Sequence, residues 1–159
     1  MGNRGTRGRT PKETHRKYLT AMTLKADDKM SMMLKISTEP GFLRATVTGD
    51  FSLPEAKRTF IEILEAVARS KVEKVLFDGQ ELSGNPEFME RFYYGEFTAE
   101  TVEKFTTHGV SRTTRFAYML KEPVLDPWRF GETVALKSGM HVQTFDNEDD
   151  ALAWLNINR

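Results

Sequence analysis

From Met33 to Asn158 the hydrophobic pattern alternates short apolar runs with stretches of helical period, in the order β-β-α-β-α-β-α-β-α. A chain patterned this way can bury its apolar faces only by stacking helices on a sheet, and strands separated by helices run parallel. The pattern therefore predicts an α/β layer structure: a mixed, mostly parallel sheet of about five strands with helices packed on it.

Local signals place the elements. Leu34 to Ser37 and Phe42 to Thr48 read as strands joined through Thr38-Glu39-Pro40-Gly41, where proline presets φ and glycine accepts φ > 0. Leu43, Ala45 and Val47 alternate with Arg44, Thr46 and Thr48, so one face of that strand is expected to be buried. Ser52-Leu53-Pro54-Glu55 carries a capping-box pattern and opens a helix that its apolar period carries to about Arg69. Lys74 to Asp78 is a short internal strand, reached by a right-handed crossover. Asn85-Pro86 predicts the next helix start, Gly95 a bend or division in it, and Thr98 a cap for its second part. His108-Gly109 marks a helix end. Arg115 to Leu120 is a strand, and Asp126-Pro127-Trp128 starts a helix to about Lys137, with Phe130 and Val134 on its buried face and Gly139 as its stop. Val142 to Phe145 is the last strand, and Asp146 or Asn147 caps a closing helix around Leu152.

Charge divides the chain. Residues 1 to 30 hold eight bases against three acids, which leaves fifteen bases, twenty acids and a net −5 on the remainder. The glycine- and arginine-rich stretch 1–29 has too few apolar groups to repay its ordering and is expected to be a disordered basic extension or a leader, with residues 30–159 forming the domain. An acidic body argues against nucleic-acid binding through the folded part. The absence of cysteine removes disulfides, thiolate nucleophiles and cysteine zinc sites. No apolar run is long enough for a transmembrane segment and no signal peptide is visible, so a cytoplasmic location is expected.

Chemistry-bearing motifs are few. Gly79 to Gly84 has P-loop glycine spacing, but Asn85-Pro86 replaces the Lys and Ser/Thr that would reach phosphate and magnesium. His15, His108 and His141 share no metal-ligand spacing, and no Gly-x-Ser-x-Gly elbow is present. Acidic residues gather at the predicted carboxyl ends of the strands, where ligands of open α/β sheets bind; their simplest roles are helix capping and strand termination. Neither a metal nor a cofactor is expected, and the chain is not read as an enzyme. The run Phe88, Phe92, Tyr93, Tyr94, Phe97 is the more informative feature. Packing on the sheet accounts for most of it, but Tyr93 and Tyr94 lie beside the main stripe. With Trp128 these residues form a candidate ligand or partner face.

The element order, the strand Val75-Leu76-Phe77-Asp78, and the ending Val142-Gln143-Thr144-Phe145-Asp146 followed by Ala151-Leu152-Ala153-Trp154-Leu155 together resemble a known group. The chain is similar to the SpoIIAA-like, or STAS-like, domains related to anti-sigma-factor antagonists. It resembles the divergent branch, which is also similar to lipid-binding domains of the CRAL-TRIO type. In the antagonists a serine in an Asp-Ser-Ser-Gly type motif, at the start of the helix after the third strand, is phosphorylated by a partner kinase. The corresponding loop here is Asp78-Gly79-Gln80-Glu81-Leu82-Ser83-Gly84-Asn85-Pro86. It lacks adjacent serines, and Ser83-Gly84 is the nearest equivalent. For that divergent branch the resemblance implies no settled activity. The first reading of the chain is a non-enzymatic STAS-like regulatory or protein-interaction module, acting on a protein partner or on itself as a homodimer. Its candidate interaction loop is Asp78, Gly79, Glu81, Ser83 and Asn85. The alternative is a carrier of a lipid or another apolar small molecule in a pocket lined by Phe88, Phe92, Tyr93, Phe97 and Trp128.

Overall fold

The computed structural model describes residues 30–158, so the expectation for the basic extension lies outside the described residues. β1 (Met33–Glu39) and β2 (Phe42–Asp50) form the antiparallel hairpin, with Glu39 opposite Phe42 across Pro40-Gly41. Gly41 sits at φ +86, a conformation that glycine adopts without steric cost. β3 (Lys74–Gly79), β5 (Arg115–Leu120) and β6 (His141–Phe145) run parallel to β2 and complete the order β1-β2-β3-β5-β6. A sixth strand, β4 (Leu82–Ser83), is missing from the expected list; it is two residues long and pairs with the end of β2 at Gly49 and Asp50.

The helices are α1 (Leu53–Ser70), α2 (Phe88–Phe105), α3 (Phe130–Lys137) and α4 (Glu148–Trp154). The three crossovers all step the same way along the sheet, and right-handedness then puts α1, α2 and α3 on one face. Strand side chains such as Leu43, Val75 and Phe116 meet Phe60, Ile63 and Leu64 of α1 there. The alternate positions Phe42, Leu76, Met119 and Phe145 meet Leu152 of α4 and Leu155 just after it on the opposite face. The period of two in the strands thus supplies two separate cores.

Ser52 caps α1 as its sequence predicts. Its hydroxyl oxygen accepts from the Glu55 N–H at 3.3 Å, and Glu55 Oε1 accepts from the Met32 N–H at 3.3 Å. Ser52→Ala is expected to cost about 1 kcal/mol of stability in urea denaturation. An unchanged midpoint would show that the cap contributes nothing to the first turn.

Five local expectations need correction. Asn85-Pro86 does not start α2: Pro86 is buried, and the N-cap is Glu87, whose N–H donates to Glu90 Oε1 at 2.9 Å. Gly95 neither bends nor divides α2, which is continuous through it. A Cβ at position 95 would lie 2.5 Å from the Gly131 carbonyl oxygen, so glycine is there to let α2 and α3 touch. Thr98 is a buried helical residue, and its hydroxyl donates to the Gly95 carbonyl at 3.0 Å. The third helix starts at Phe130 because Arg129 sits at φ +50, outside the helical region. Asp126 still caps it, accepting from the Trp128 and Phe130 N–H groups at 3.0 and 2.9 Å. Phe130 and Val134 are only half-buried, and Ala135 is the buried residue of α3. Helix ends elsewhere follow the sequence: Thr106–His108 forms a final 3₁₀ turn closed by Gly109 at φ +101, and Asn147 caps α4 through the Asp150 N–H.

Candidate functional site

The loop after β3 separates into structural and exposed parts. Asp78 points to the α4 side of the sheet, where it pairs with Arg44 at 2.9 Å and accepts from the Gln80 N–H. The second arm of Arg44 reaches Glu148 at 3.0 Å, tying β2 and β3 to α4. Gly79 is buried so tightly that a Cβ would come within 2.8 Å of Leu120 and 2.9 Å of Phe77. Glu81 and Asn85 are exposed. Ser83 lies in β4, five residues before α2, and its hydroxyl donates to the Asp50 carboxylate and the Gly49 carbonyl. A phosphate on Ser83 would meet the Asp50 charge, a repulsive arrangement. The acids of the strand ends do not converge. Among the described residues no group of three histidine or carboxylate side chains is placed to hold a metal ion.

The aromatic run divides by helical stripe. Phe88 and Tyr93 are exposed and Phe92 half-buried, on the stripe that also carries Met89. Phe130 of α3, which sequence reading assigned to the core, stacks on Phe88 with ring centres 4.2 Å apart and lies 6.2 Å from Phe92. Trp128 stands beside it, 89% exposed, in the turn fixed by the Asp126 carboxylate. Tyr94 and Phe97 are not part of this outer surface. Phe97 packs at the edge of the core beneath the Lys57 ammonium, 5.3 Å from its ring centre, and Tyr94 turns inward against Phe60. No local signal links Phe130 to Phe88, because their contact depends on the α2–α3 crossing.

Behind this surface, at the carboxyl ends of β3 and β5, lies a cavity of about 110 Å³ walled by residues including Phe77, Leu82, Leu120, Val124, Tyr94 and Tyr118. An outer cleft of about 520 Å³ runs past Asn85, Phe88, Pro123, Trp128 and Phe130 and shares Pro86, Arg91, Leu125 and Asp126 with the cavity. Of the five aromatics expected around a ligand pocket, Phe88 and Trp128 border the cleft, and Phe92, Tyr93 and Phe97 border neither space. Arg91 donates to the carbonyls of Val124 and Pro123 at 2.6 and 2.8 Å and so staples the segment before α3 onto α2. On the far wall Arg129 donates to the Thr144 carbonyl at 3.0 Å, and Glu132 accepts from the Thr144 N–H and hydroxyl. Sequence reading did not single out Arg91, Tyr118, Arg129 or Glu132, whose partners lie on other elements.

Tyr94 and Tyr118 meet hydroxyl to hydroxyl at 2.8 Å. Burial pushes both phenols up; for Tyr94 the mutual hydrogen bond partly opposes this, whereas for Tyr118 the neighbouring phenol adds to it. The native state therefore keeps protons that the unfolded chain releases near pH 10. Their contribution to stability is present below about pH 10 and lost as pH rises above it. Stability measured from pH 8 to 11 should fall at the alkaline end in the native protein, and Tyr94→Phe/Tyr118→Phe should flatten that fall. An equally steep fall in the variant would contradict the assignment.

No protein-family model and no curated protein matches the chain in sequence. Its fold does match solved structures. An anti-sigma factor antagonist from Mycobacterium paratuberculosis superposes with a TM-score of 0.54 over 79% of this chain and 95% of that one, at 16% identity. An uncharacterised protein with a SpoIIAA-like fold from Shewanella loihica gives a TM-score of 0.45 over 79% of this chain and 93% of that one, at 17% identity. The chain is thus a mixed α/β domain with the SpoIIAA-like, STAS-like fold. Among the described residues no helix is long and apolar enough to cross a membrane.

Proposed function

We propose that the chain is a non-enzymatic STAS-like interaction module, working in the cytoplasm, that docks a protein through the face formed by Phe88, Tyr93, Trp128 and Phe130. The observation that carries this reading is the exposed aromatic cluster itself. Phe88 is 62% and Trp128 89% exposed, and large rings left in water are the residues that most often anchor protein interfaces. Asn85 of the loop after β3 borders the same cleft as Phe88, Trp128 and Phe130 and supplies a polar group at its margin. The similar fold in the mycobacterial structure belongs to a protein named for antagonising another protein, which agrees with this reading.

The test uses the full chain as bait in extract of its own host, beside Phe88→Ser and Trp128→Ser. Each substitution should leave folding stability within about 0.5 kcal/mol. Retention of a protein that the native chain captures should fall about tenfold or more, as for a buried aromatic anchor. Equal capture by all three would remove the aromatic face from the interaction.

A further inference from the structure

The cavity has two hydroxyl groups on its wall whose hydrogen-bonding capacity is not used up. A pair of phenols shares one proton, so of the two O–H protons on Tyr94 and Tyr118 only one is spent between them. The other has no acceptor among the described residues. Thr59, from α1, also lines the cavity; it is 2% exposed, and its hydroxyl makes no hydrogen bond among the described residues. The remaining charged groups on the wall are engaged: Arg91 with two carbonyls, Arg129 and Glu132 with Thr144, and Asp126 with two backbone N–H groups. Most of the rest of the wall is apolar, including Met32, Ala56, Phe77 and Leu120.

An apolar cavity of roughly 150 Å³ holds benzene. A space of about 110 Å³ takes a body of about that size or smaller. Among the described residues no fully enclosed side-chain oxygen lacks a partner, so this spare hydroxyl capacity faces the cavity space, where water can meet it. An occupant that displaces that water without offering an acceptor leaves a hydroxyl unpaired, at a cost on the order of 1–3 kcal/mol, so an occupant that supplies an acceptor is favoured over a pure hydrocarbon. We propose that the cavity between α2 and the carboxyl ends of β3 and β5 is a binding site for a small uncharged molecule: a compact apolar body with one carbonyl or hydroxyl oxygen, which accepts from the tyrosine pair or from Thr59. The outer cleft shares Pro86, Arg91, Leu125 and Asp126 with it, which places the way in beneath the segment that Arg91 staples down. The cavity wall contains none of Phe88, Tyr93, Trp128 and Phe130, so the site does not depend on the protein-docking face, although the cleft that leads to it runs past three of those residues.

The probes are cyclopentanone and methylenecyclopentane, which differ by an oxygen replaced with CH₂. Both are titrated into the full chain while the methyl resonances of Ala56, Leu120, Val124 and Ala135 are followed by NMR. The ketone should shift these cavity methyls. Its affinity should drop about fivefold to tenfold in Tyr94→Phe/Tyr118→Phe or in Thr59→Val, with that of the hydrocarbon unchanged. If the double variant does not fold, the native protein decides: the ketone should bind about fivefold to tenfold more tightly than the hydrocarbon, and equal affinities overturn the proposal. Absence of shifts with both probes, as for a cavity that holds only water, overturns the proposal. So does a ketone affinity that no folded variant lowers.

Discussion

Gly95→Ala is expected to destabilise the protein by about 2 kcal/mol or more, although alanine is the better helix former. In an exposed helix the exchange would gain about 1 kcal/mol. Here the added Cβ falls 2.5 Å from the carbonyl oxygen of Gly131 and 3.2 Å from Val134 Cβ, and the first of these is backbone. No rotamer change relieves a contact with backbone, so α3 must move off α2. Gly131 approaches reciprocally, since its own Cβ would stand 3.2 Å from the Arg91 carbonyl oxygen. Movement of α3 would also disturb Phe130 on Phe88 and the Arg91 staple, so the variant should lose stability and docking together. Urea denaturation checks the first effect, and a midpoint at or above that of the native protein would show that the helices are not held at this separation.

Phe60→Ala should cost more, about 3–5 kcal/mol, because it removes a ring that is 1% exposed and leaves a void at the centre of the larger core. Phe60 reaches across from α1 to Phe116 of β5, with ring centres 5.7 Å apart, and to Tyr94 of α2 at 6.4 Å. Three elements therefore lose a shared contact at once. Chemical denaturation should show a large fall in midpoint, whereas Trp128→Ser, a larger deletion from the surface, should be nearly neutral. Comparable losses from the two would contradict the division drawn here between packing aromatics and docking aromatics.

That division marks the limit of what the sequence discloses. The strand and helix order was legible because alternation in β2 and the capping box at Ser52 are local signals that the tertiary structure leaves intact. Strand alternation also implies that Phe77 and Asp78 face opposite sides, and they do: Phe77 lines the cavity, and Asp78 meets Arg44 on the α4 side. The start of α3 was not legible. It depends on Arg129 in a left-handed conformation with its guanidinium on Thr144, fifteen residues further on. Gly95 was misplaced for a similar reason, because glycine in a helix signals a bend and a close helix contact equally well. Tyr94 and Tyr118 are twenty-four residues apart, and only the crossing of α2 over β5 brings their hydroxyls together.

The central claim, that Trp128 and Phe88 face another polypeptide, is tested most directly by photocrosslinking in the host cell. A photoreactive phenylalanine derivative is placed at position 128, at 88, and at Arg69 on the exposed end of α1 as a control. The expected result is a discrete protein adduct from 128 and 88, formed with a different protein or a second copy of this chain, and none from 69. No adduct from 128 and 88, or the same diffuse pattern from all three positions, would contradict the claim.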